Sequence, residues 1–259
     1  MVREGKGPKV LLVHGGASPR TTWAELSELS NRWSLVFAYR RGYPPSPAGR
    51  HDFDVDASDL LPLLDTRPHI VAHSYGVLGT LLAAAMRPKR VRSLTLIEPP
   101  LYHLVPDDTE VAYLKRLGDA VLRDGLSCEP AMLREFLRLS GAANVDDGPL
   151  PEVVARGVRR AHGGRLPGEA RLRIDILRDA GIPSLVASGG HAEALERICD
   201  ALAAELRAER ITAAGAGHFV AGAPGFADLL DRFLTLNNEV IENPPLALCA
   251  QSTSRRARR

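Results

Sequence analysis

A serine occupies a short turn between an apolar run and a nearly all-apolar stretch of helix length. Residues 72–76 read Ala-His-Ser-Tyr-Gly, and the apolar stretch 78–86 follows. A serine on a sharp strand-to-helix turn adopts a strained backbone that projects its hydroxyl, and such a turn needs small residues two before and two after it. Ala72 and Gly76 meet that requirement, so the pattern predicts that Ser74 is a nucleophile.

Two backbone amides beside this serine are candidates for stabilising negative charge on a substrate oxygen. A helix that begins just after Ser74 directs its first N–H groups and its dipole at the turn. Residues 14–16, His-Gly-Gly, follow the first apolar run, and glycines there leave backbone N–H groups accessible. We therefore predict an oxyanion hole formed by the amides of Gly16 and Tyr75, although a His-Gly-Gly turn taken alone is also compatible with an ordinary loop.

A histidine in the last part of the chain is the candidate general base. His218 ends the sequence Gly-Ala-Gly-His at residues 215–218, and a glycine-rich loop of this kind can deliver an imidazole to Ser74. His14 and His73 adjoin the site, and we expect their rings to shape their own turns through hydrogen bonds to backbone. The remaining histidines are expected in loops or at the surface: His51, His69, His103, His162 and His191.

Short apolar runs alternate with amphipathic segments of helix length, which is typical of a parallel sheet with crossover helices. The six predicted strands are residues 10–13, 34–39, 70–72, 93–97, 182–188 and 210–213. Residues 101–171 carry helical patterns without a strand pattern, which predicts a helical cap inserted after the fourth strand. The predicted class is therefore α/β, with a core at 1–100 and 172–236, a cap at 101–171 and a disordered basic tail at 237–259.

Length and composition indicate an ordinary globular protein. The chain has 259 residues, of which 45% are hydrophobic and 25% charged. Its net charge of +2 is too small to indicate a nucleic-acid partner, and no apolar run approaches the roughly 18 residues of a membrane span. The start of the chain lacks a signal-peptide core, and the three cysteines, Cys128, Cys199 and Cys249, are widely spaced. These features predict reduced thiols and a cytoplasmic location.

The sequence predicts a small-molecule substrate as the partner, with no metal and no organic cofactor. No group of carboxylates and histidines has the spacing of metal ligands along the chain. The sequence leaves both a monomer and a homodimer open.

The strand-end motifs together resemble the α/β-hydrolase superfamily over residues 9–236. They are His-Gly-Gly at 14–16, Arg-Gly at 41–42, Ala-His-Ser-Tyr-Gly at 72–76 and Gly-His-Phe at 217–219. The resemblance implies a serine nucleophile, an oxyanion donor after the first strand and the chain order nucleophile, acid, base. It also implies that the family's leading hairpin is absent here, which would leave about six strands, all parallel.

The catalytic acid that the resemblance implies has two candidate positions. Members of this fold usually carry an aspartate after the strand predicted at 182–188, but residues 189–193 read Gly-Gly-His-Ala-Glu. Residues 87–100 are similar to the part of haloalkane dehalogenases in which a catalytic glutamate ends a strand, which favours Glu98. Its task would be to orient the His218 imidazole and stabilise its charged form. Glu193 is the alternative, although a glutamate is favoured in the first turn of a helix anyway; an acid elsewhere, or none, also stays open.

Two departures argue against a dehalogenase. The nucleophile is Ser74 rather than an aspartate, and Gly16 has no side chain where that family binds halide. The same serine argues against the aspartate-dependent epoxide hydrolases.

The resulting hypothesis is a hydrolase that cleaves a small, largely hydrophobic ester, lactone or thioester through an acyl-enzyme. Trp23, Tyr75, Tyr102 and Phe219 are candidates to line its pocket, although core packing would explain each of them equally well. Other enzymes on the same triad, such as a C–C bond hydrolase, carrier thioesterase or perhydrolase, stay open. A lyase or cyclase without an acyl-enzyme also stays open. A small-ligand binding protein is a further alternative, but the serine, histidine and glutamate together argue against it, because a binding protein needs no base near a serine.

Overall fold

A seven-stranded sheet organises the chain, and its strands follow the spatial order β1-β3-β2-β4-β5-β6-β7. The computed structural model describes residues 1–146 and 148–242, with side chains to residue 238. The strands are β1 (Val2–Glu4), β2 (Lys9–Val13), β3 (Ser34–Ala38), β4 (His69–His73), β5 (Ser93–Ile97), β6 (Ser184–Ser188) and β7 (Glu209–Thr212). The last six coincide with the six predicted strands to within two residues at each end.

The expectation of an all-parallel sheet is wrong at one edge. Strands β2 to β7 pair in parallel, but β1 pairs antiparallel with β3, Arg3 lying opposite Val36. Gly5 and Gly7 follow β1 with φ of 77° and 119°, angles that turn the chain back at little steric cost. The three residues of β1 are all exposed and have no apolar alternation, so the sequence gives no strand signal there.

Helices connect the strands and cover both faces of the sheet. They are α1 (Pro19–Trp23), α2 (Phe53–Leu60), α3 (Gly76–Met86), α4 (Thr109–Asp124), α5 (Pro130–Leu139), α6 (Glu152–Ala161), α7 (Ile174–Asp179), α8 (Glu193–Leu206) and α9 (Phe226–Glu242). Short 3₁₀ turns lie at Ala24–Asn31, Leu61–Thr66, Pro88–Arg90, Tyr102–Leu104, Gly125–Ser127, Pro167–Glu169 and Val220–Gly222. No described helix is long and apolar enough to cross a membrane.

The predicted disordered tail, which begins at residue 237, overlaps the end of the last helix. Helix α9 continues through Glu242, so residues 237–242 are helical, and the rest of the predicted tail, 243–259, lies outside the described residues. At the other end of the chain, helix α1 begins at Pro19, because the Ser18 hydroxyl accepts from the Thr21 amide and proline is favoured in the first turn.

The two faces of the central strands enter different hydrophobic clusters, because successive side chains along a strand point to opposite faces. Leu11 and Val13 pack with residues of α2, α3, α7 and α8, whereas Val10 and Leu12 pack with residues of α1 and α9. Burial on both faces explains why these strands read as continuous apolar runs.

Between β5 and β6 the described residues form helices and turns without a strand. Helix α4 joins the core cluster of the sheet through Val111 and Leu114. Helices α5 and α6 pack on α4 through a separate small cluster, whose buried members are Val121, Cys128, Leu133, Leu137, Val145 and Val158. This helical segment is the one predicted to be a cap.

Candidate active site

Ser74 lies in a left-handed turn between β4 and α3. Its φ is 52°, its side chain is partly exposed, and its amide donates to the carbonyl of Ile97 on β5. A Cβ on Gly76 would lie 2.3 Å from the carbonyl oxygen of His14, so no other residue fits there without backbone movement. The strained turn and its need for a small residue at position 76 are therefore confirmed.

The end of β5 brings a carboxylate to the predicted base. Glu98 follows β5, is 1% exposed and accepts a 2.6 Å hydrogen bond on Oε2 from Nδ1 of His218. The amide of Gly189, after the adjacent strand β6, donates to Oε1 at 2.7 Å. Because Nδ1 carries the shared proton, Nε2 of His218 is the nitrogen left to accept a proton from a nucleophile.

A second histidine faces the same carboxylate. Nδ1 of His191 lies 3.4 Å from Oε1 of Glu98, at ion-pair distance but without hydrogen-bond geometry, and its Nε2 donates to the carbonyl of Leu139. Burial by itself raises the pKa of Glu98, but His191 and His218 outweigh it and lower that pKa to about 2. The interaction with Glu98 correspondingly raises the pKa of His191. Glu98 is therefore ionised at neutral pH.

Ser74 and His218 are not hydrogen-bonded to each other among the described residues. Ser74 Oγ makes no hydrogen bond to His218 there, and Nε2 of His218 has no other partner. Catalytic hydrogen bonds are often long or poorly aligned without substrate and tighten only when it binds.

The two predicted oxyanion amides flank Ser74. Gly16 is exposed, a Cβ there would meet nothing within 4 Å, and Tyr75 is the residue before the first turn of α3. Neither amide donates to another described residue. A Cβ on the preceding Gly15 would lie 2.7 Å from Cβ of Ser74, so the loop needs glycine to approach the turn this closely.

His14 and His73 make hydrogen bonds to backbone, as predicted, but the partner of His73 lies in the loop of His218 and not in its own turn. Nδ1 of His14 donates to the carbonyl of Gly15, and Nε2 accepts from the amide of Arg40. Nε2 of His73 donates to the carbonyl of His218 at 2.9 Å, which fixes the loop that carries the base. Burial is the main cause that lowers the pKa of each of these rings to about 3, so both stay neutral.

The expectation that the other histidines are loop or surface residues is wrong for His69, whereas His51 and His191 lie in loops but are partly or fully buried. His69 is a fully buried residue of β4, and its Nδ1 hydrogen-bonds Ser93 Oγ. His51 is 2% exposed and hydrogen-bonds the hydroxyl of Tyr43. His191 lies against Glu98, as described above. In each case the partner comes from another part of the chain, which a single-sequence pattern does not show.

The alternative acid lies elsewhere. Glu193 is the first residue of α8, its side chain is 77% exposed, and it pairs with Arg197 one turn along the same helix. The structure thus brings Glu98, and not Glu193, to His218.

The predicted pocket residues occupy different environments. Trp23 and Tyr102 are buried in hydrophobic clusters, and the Trp23 ring lies 6.3 Å from that of His73. The hydroxyl of Tyr75 donates to the carbonyl of Arg165, from the helical segment. Phe219 is partly exposed beside His73 and His218, and Gly141 of the helical segment approaches its ring. The helical segment therefore contacts the site on two sides.

One group of side chains could present ligand atoms to a metal ion. Glu98, His191 and His218 have such atoms within 4.8 Å of one another. The 2.6 Å between Glu98 Oε2 and His218 Nδ1 is a hydrogen-bond distance, since two ligands of a tetrahedral zinc ion with bonds of about 2.0–2.1 Å lie roughly 3.3 Å apart. The spacing of these two atoms is thus that of a hydrogen bond rather than of two ligands of one zinc ion.

Comparison with known proteins assigns the chain to a family. The model of the alpha/beta hydrolase family matches residues 10–228. The pimeloyl-[acyl-carrier protein] methyl ester esterase of Methylococcus capsulatus is 31% identical over 170 residues, which are 64% of this chain and 64% of that protein. The match therefore spans less than two thirds of the relative's length.

Solved structures share the fold at low sequence identity. A structure from a study of carboxylesterases of the thaumarchaeon Nitrososphaera gargenis has a TM-score of 0.63 at 17% identity, covering 92% of this chain and 94% of its own. A haloalkane dehalogenase variant from Bradyrhizobium elkanii has a TM-score of 0.64 at 18% identity, covering 93% of each chain. At such identities the likeness establishes the fold alone.

Proposed function

The chain belongs to the alpha/beta hydrolase family, and from this premise we propose that it is a serine-dependent hydrolase that forms an acyl-enzyme on Ser74. The observation that carries the proposal is the 2.6 Å hydrogen bond between buried Glu98 and His218, at the strand ends that also present Ser74. A buried carboxylate that accepts a hydrogen bond from Nδ1 of an imidazole supports Nε2 of the same ring as a general base.

Acylation follows from the roles of these groups. Nε2 of His218 takes the proton of Ser74 Oγ as that oxygen attacks the carbonyl carbon of the substrate. The amides of Gly16 and Tyr75 donate to the oxyanion, and ionised Glu98 stabilises the imidazolium. The imidazolium then gives its proton to the leaving group as the acyl bond breaks.

Deacylation repeats the same steps with water as the nucleophile. His218 removes a proton from water, the hydroxyl attacks the acyl carbon, and the proton returns to Ser74 as the acid product leaves. No step in this sequence needs a redox group, because no atom changes oxidation state.

The proposed substrate is a small, largely hydrophobic ester, lactone or thioester. Phe219 lies beside His73 and His218, and we propose that the helical segment caps the strand ends, since Gly141 approaches the Phe219 ring and the carbonyl of Arg165 accepts from the hydroxyl of Tyr75. The curated relative acts on a methyl ester of a carrier-bound acyl group, as its name states, which agrees with a carboxylic ester as the bond cleaved.

A substrate panel with active-site trapping tests this proposal. The purified protein is assayed on p-nitrophenyl esters, lactones, acyl thioesters and vinylogous diketones, and the acyl-enzyme is sought by mass spectrometry. We expect ester turnover, fluorophosphonate labelling at Ser74 and loss of both in Ser74→Ala. Ser93→Ala, which removes a buried hydroxyl at the opposite strand ends, is the matched control and should retain activity.

Other outcomes point to the alternatives. Diketone cleavage without ester turnover would indicate a C–C bond hydrolase. Full activity in Ser74→Ala would exclude an acyl-enzyme and indicate lyase or cyclase chemistry. Ligand binding without turnover of any substrate in the panel would indicate a binding protein.

A further inference from the structure

Arg40 is a buried cation directly beside the predicted oxyanion loop. It follows β3, whose carboxyl end adjoins that of β2, and its side chain is 3% exposed. Nε donates to Oδ2 of Asp56 on α2 at 2.8 Å, and the Asp56 side chain is 4% exposed. Burying two charges carries a large desolvation cost, and an apolar pair would fill the same space without it. A buried pair next to a catalytic loop therefore calls for a functional reason.

Arg40 holds the peptide group that carries one predicted oxyanion donor. Its Nη1 donates to the carbonyl of Gly15 at 2.9 Å, and Nδ1 of His14 donates to the same oxygen at 3.0 Å. The C=O of Gly15 and the N–H of Gly16 belong to one peptide, which is planar and in its trans form directs them to opposite sides. Two donors on the carbonyl thus fix the direction of the Gly16 N–H.

The same side chain contacts the second predicted donor residue. The guanidinium carbon lies 4.8 Å from the ring centroid of Tyr75, and Nη2, which faces no hydrogen-bond acceptor among the described residues, is left for this cation–π contact. Arg40 therefore reaches Gly15–Gly16 on one side and Tyr75 on the other.

We propose that Arg40, anchored by Asp56, is a positioning residue of the oxyanion hole, an inference that rests on the proposed serine hydrolase function. The cation orients the Gly15–Gly16 peptide, and by polarising its carbonyl it makes the Gly16 N–H a stronger donor. Arg40 itself does not touch the substrate, so its effect appears only where charge develops on the substrate oxygen.

The packing of α2 on α3 places the anchor. A Cβ on Gly79 of α3 would lie 2.6 Å from Cβ of Asp56, so this glycine allows α2 to approach closely enough for Asp56 to reach Arg40. The hydroxyl of Tyr43 adds a further fixed point, because it donates to the carbonyl of Gly16 at 2.7 Å.

The test compares an oxo ester with the matching thiono ester, since a thiocarbonyl sulfur accepts hydrogen bonds weakly and gains little from an oxyanion hole. In Arg40→Met we expect kcat for the oxo ester to fall about tenfold to a hundredfold, below the loss for deleting a donor outright. KM should change little, and the oxo-to-thiono ratio of kcat should fall by a similar factor. A purely structural role would lower both rates together and leave the ratio unchanged.

Controls separate stability from positioning. Asp231→Asn weakens the half-buried anchor of Arg32 and Trp33 at the opposite strand ends, so it should lower the thermal midpoint while keeping kcat and the ratio. If Arg40→Met does not fold, the double variant Arg40→Gln/Asp56→Asn leaves no unpaired buried charge and is expected to show the same fall in the ratio.

The outcomes distinguish this inference from the proposed function. Absence of Ser74 labelling and of ester turnover in the wild-type protein would defeat the serine hydrolase function itself. Normal labelling and turnover in wild type, with an unchanged ratio in a folded Arg40 variant, would overturn the positioning role alone.

Discussion

Two residues of the candidate triad share an uncommon backbone conformation. Ser74 and Glu98 have φ of 52° and 44°, although neither is glycine. Arg67, Asn144 and Arg207 also have positive φ, but the two arginines each end a helix, and asparagine adopts this conformation more readily than most residues. At Ser74 and Glu98 the chain leaves a buried strand, and the strained angle directs the side chain toward the strand-end site. The strain at Glu98 is thus an independent structural sign that this residue has a special role.

At the same scale, Glu98→Gln removes the charge opposite His218 while keeping the size of the side chain. We expect kcat to fall on the order of a hundredfold or more, because a carboxamide neither selects the required tautomer nor stabilises imidazolium. Steady-state kinetics on the best ester of the panel measure the change, and circular dichroism checks the fold. Glu193→Gln, at an exposed position of α8, is the control and should retain wild-type kcat. The assignment would be falsified if the two results were reversed.

The low pKa of Glu98 also predicts an acid-dependent loss of stability. Its pKa in the folded chain, about 2, is below the ordinary value of 4.5, so its ionised form stabilises the folded state above about pH 4.5. That contribution is lost as pH falls from about 4.5 toward 2. Denaturant unfolding of wild type and Glu98→Gln over this range should show their difference in unfolding free energy shrinking with acidity. A constant difference would contradict the prediction.

At the scale of elements, the loops after β6 and β7 must lie in direct contact to bring Glu98 and His218 together. A Cβ on Gly189 would lie 1.8 Å from the carbonyl oxygen of Gly217. Glu196 of α8 holds the first loop by accepting from the amide of Gly190 and the hydroxyl of Ser188. The glycine at 189 thus determines how closely the loop after β6, whose Gly189 amide donates to Glu98, approaches the loop that carries His218.

Gly189→Ala should therefore separate these loops. We expect a loss of at least tenfold in kcat, because small errors in catalytic geometry are costly, together with a lower thermal midpoint. Gly157→Ala is the matched control: it lies inside α6, where an added Cβ meets nothing within 4 Å. It should stabilise the protein by about 0.5–1 kcal/mol and leave kcat unchanged. Equal effects of the two substitutions on kcat would refute this account of the loops.

At the scale of the molecule, the helical segment has a hydrophobic cluster separate from those of the sheet. Cys128 is buried in that cluster, whereas Cys199 is buried in the larger core cluster that packs against the sheet. Burial raises the pKa of both thiols, so each should react only when the surrounding structure opens. A small satellite cluster is expected to open at a lower free energy than the sheet core.

Thiol labelling can measure this difference within one chain. In a Cys249→Ser background, Cys128 should react with a disulfide reagent at least tenfold faster than Cys199, and with a weaker dependence on denaturant, since less surface is exposed in a local opening. The single variants Cys128→Ser and Cys199→Ser assign the two rates. Identical rates and denaturant slopes would show that the helical segment and the sheet unfold as one unit.

Local sequence patterns were sufficient to predict much of the fold of this protein. The α/β class, the six strands β2 to β7 and the strand-free segment between β5 and β6 follow from apolar periodicity. The turn at Ser74 follows from small residues at fixed offsets. Such features are encoded over a few neighbouring residues, so one sequence contains them. The antiparallel β1 and the length of α9 were missed because short exposed elements and helix ends carry weak local signals.

The sequence by itself determined that Ser74 lies at a sharp turn with glycine and alanine around it, and that His218 and Glu98 each follow a strand. Only the tertiary structure decided which groups meet: His218 with Glu98, His191 against the same carboxylate, and Arg40 between Asp56 and the Gly15 carbonyl. The physical reason is that a parallel sheet gathers the carboxyl ends of strands that are far apart along the chain. Contacts at that edge depend on strand order and helix packing, which no local pattern records.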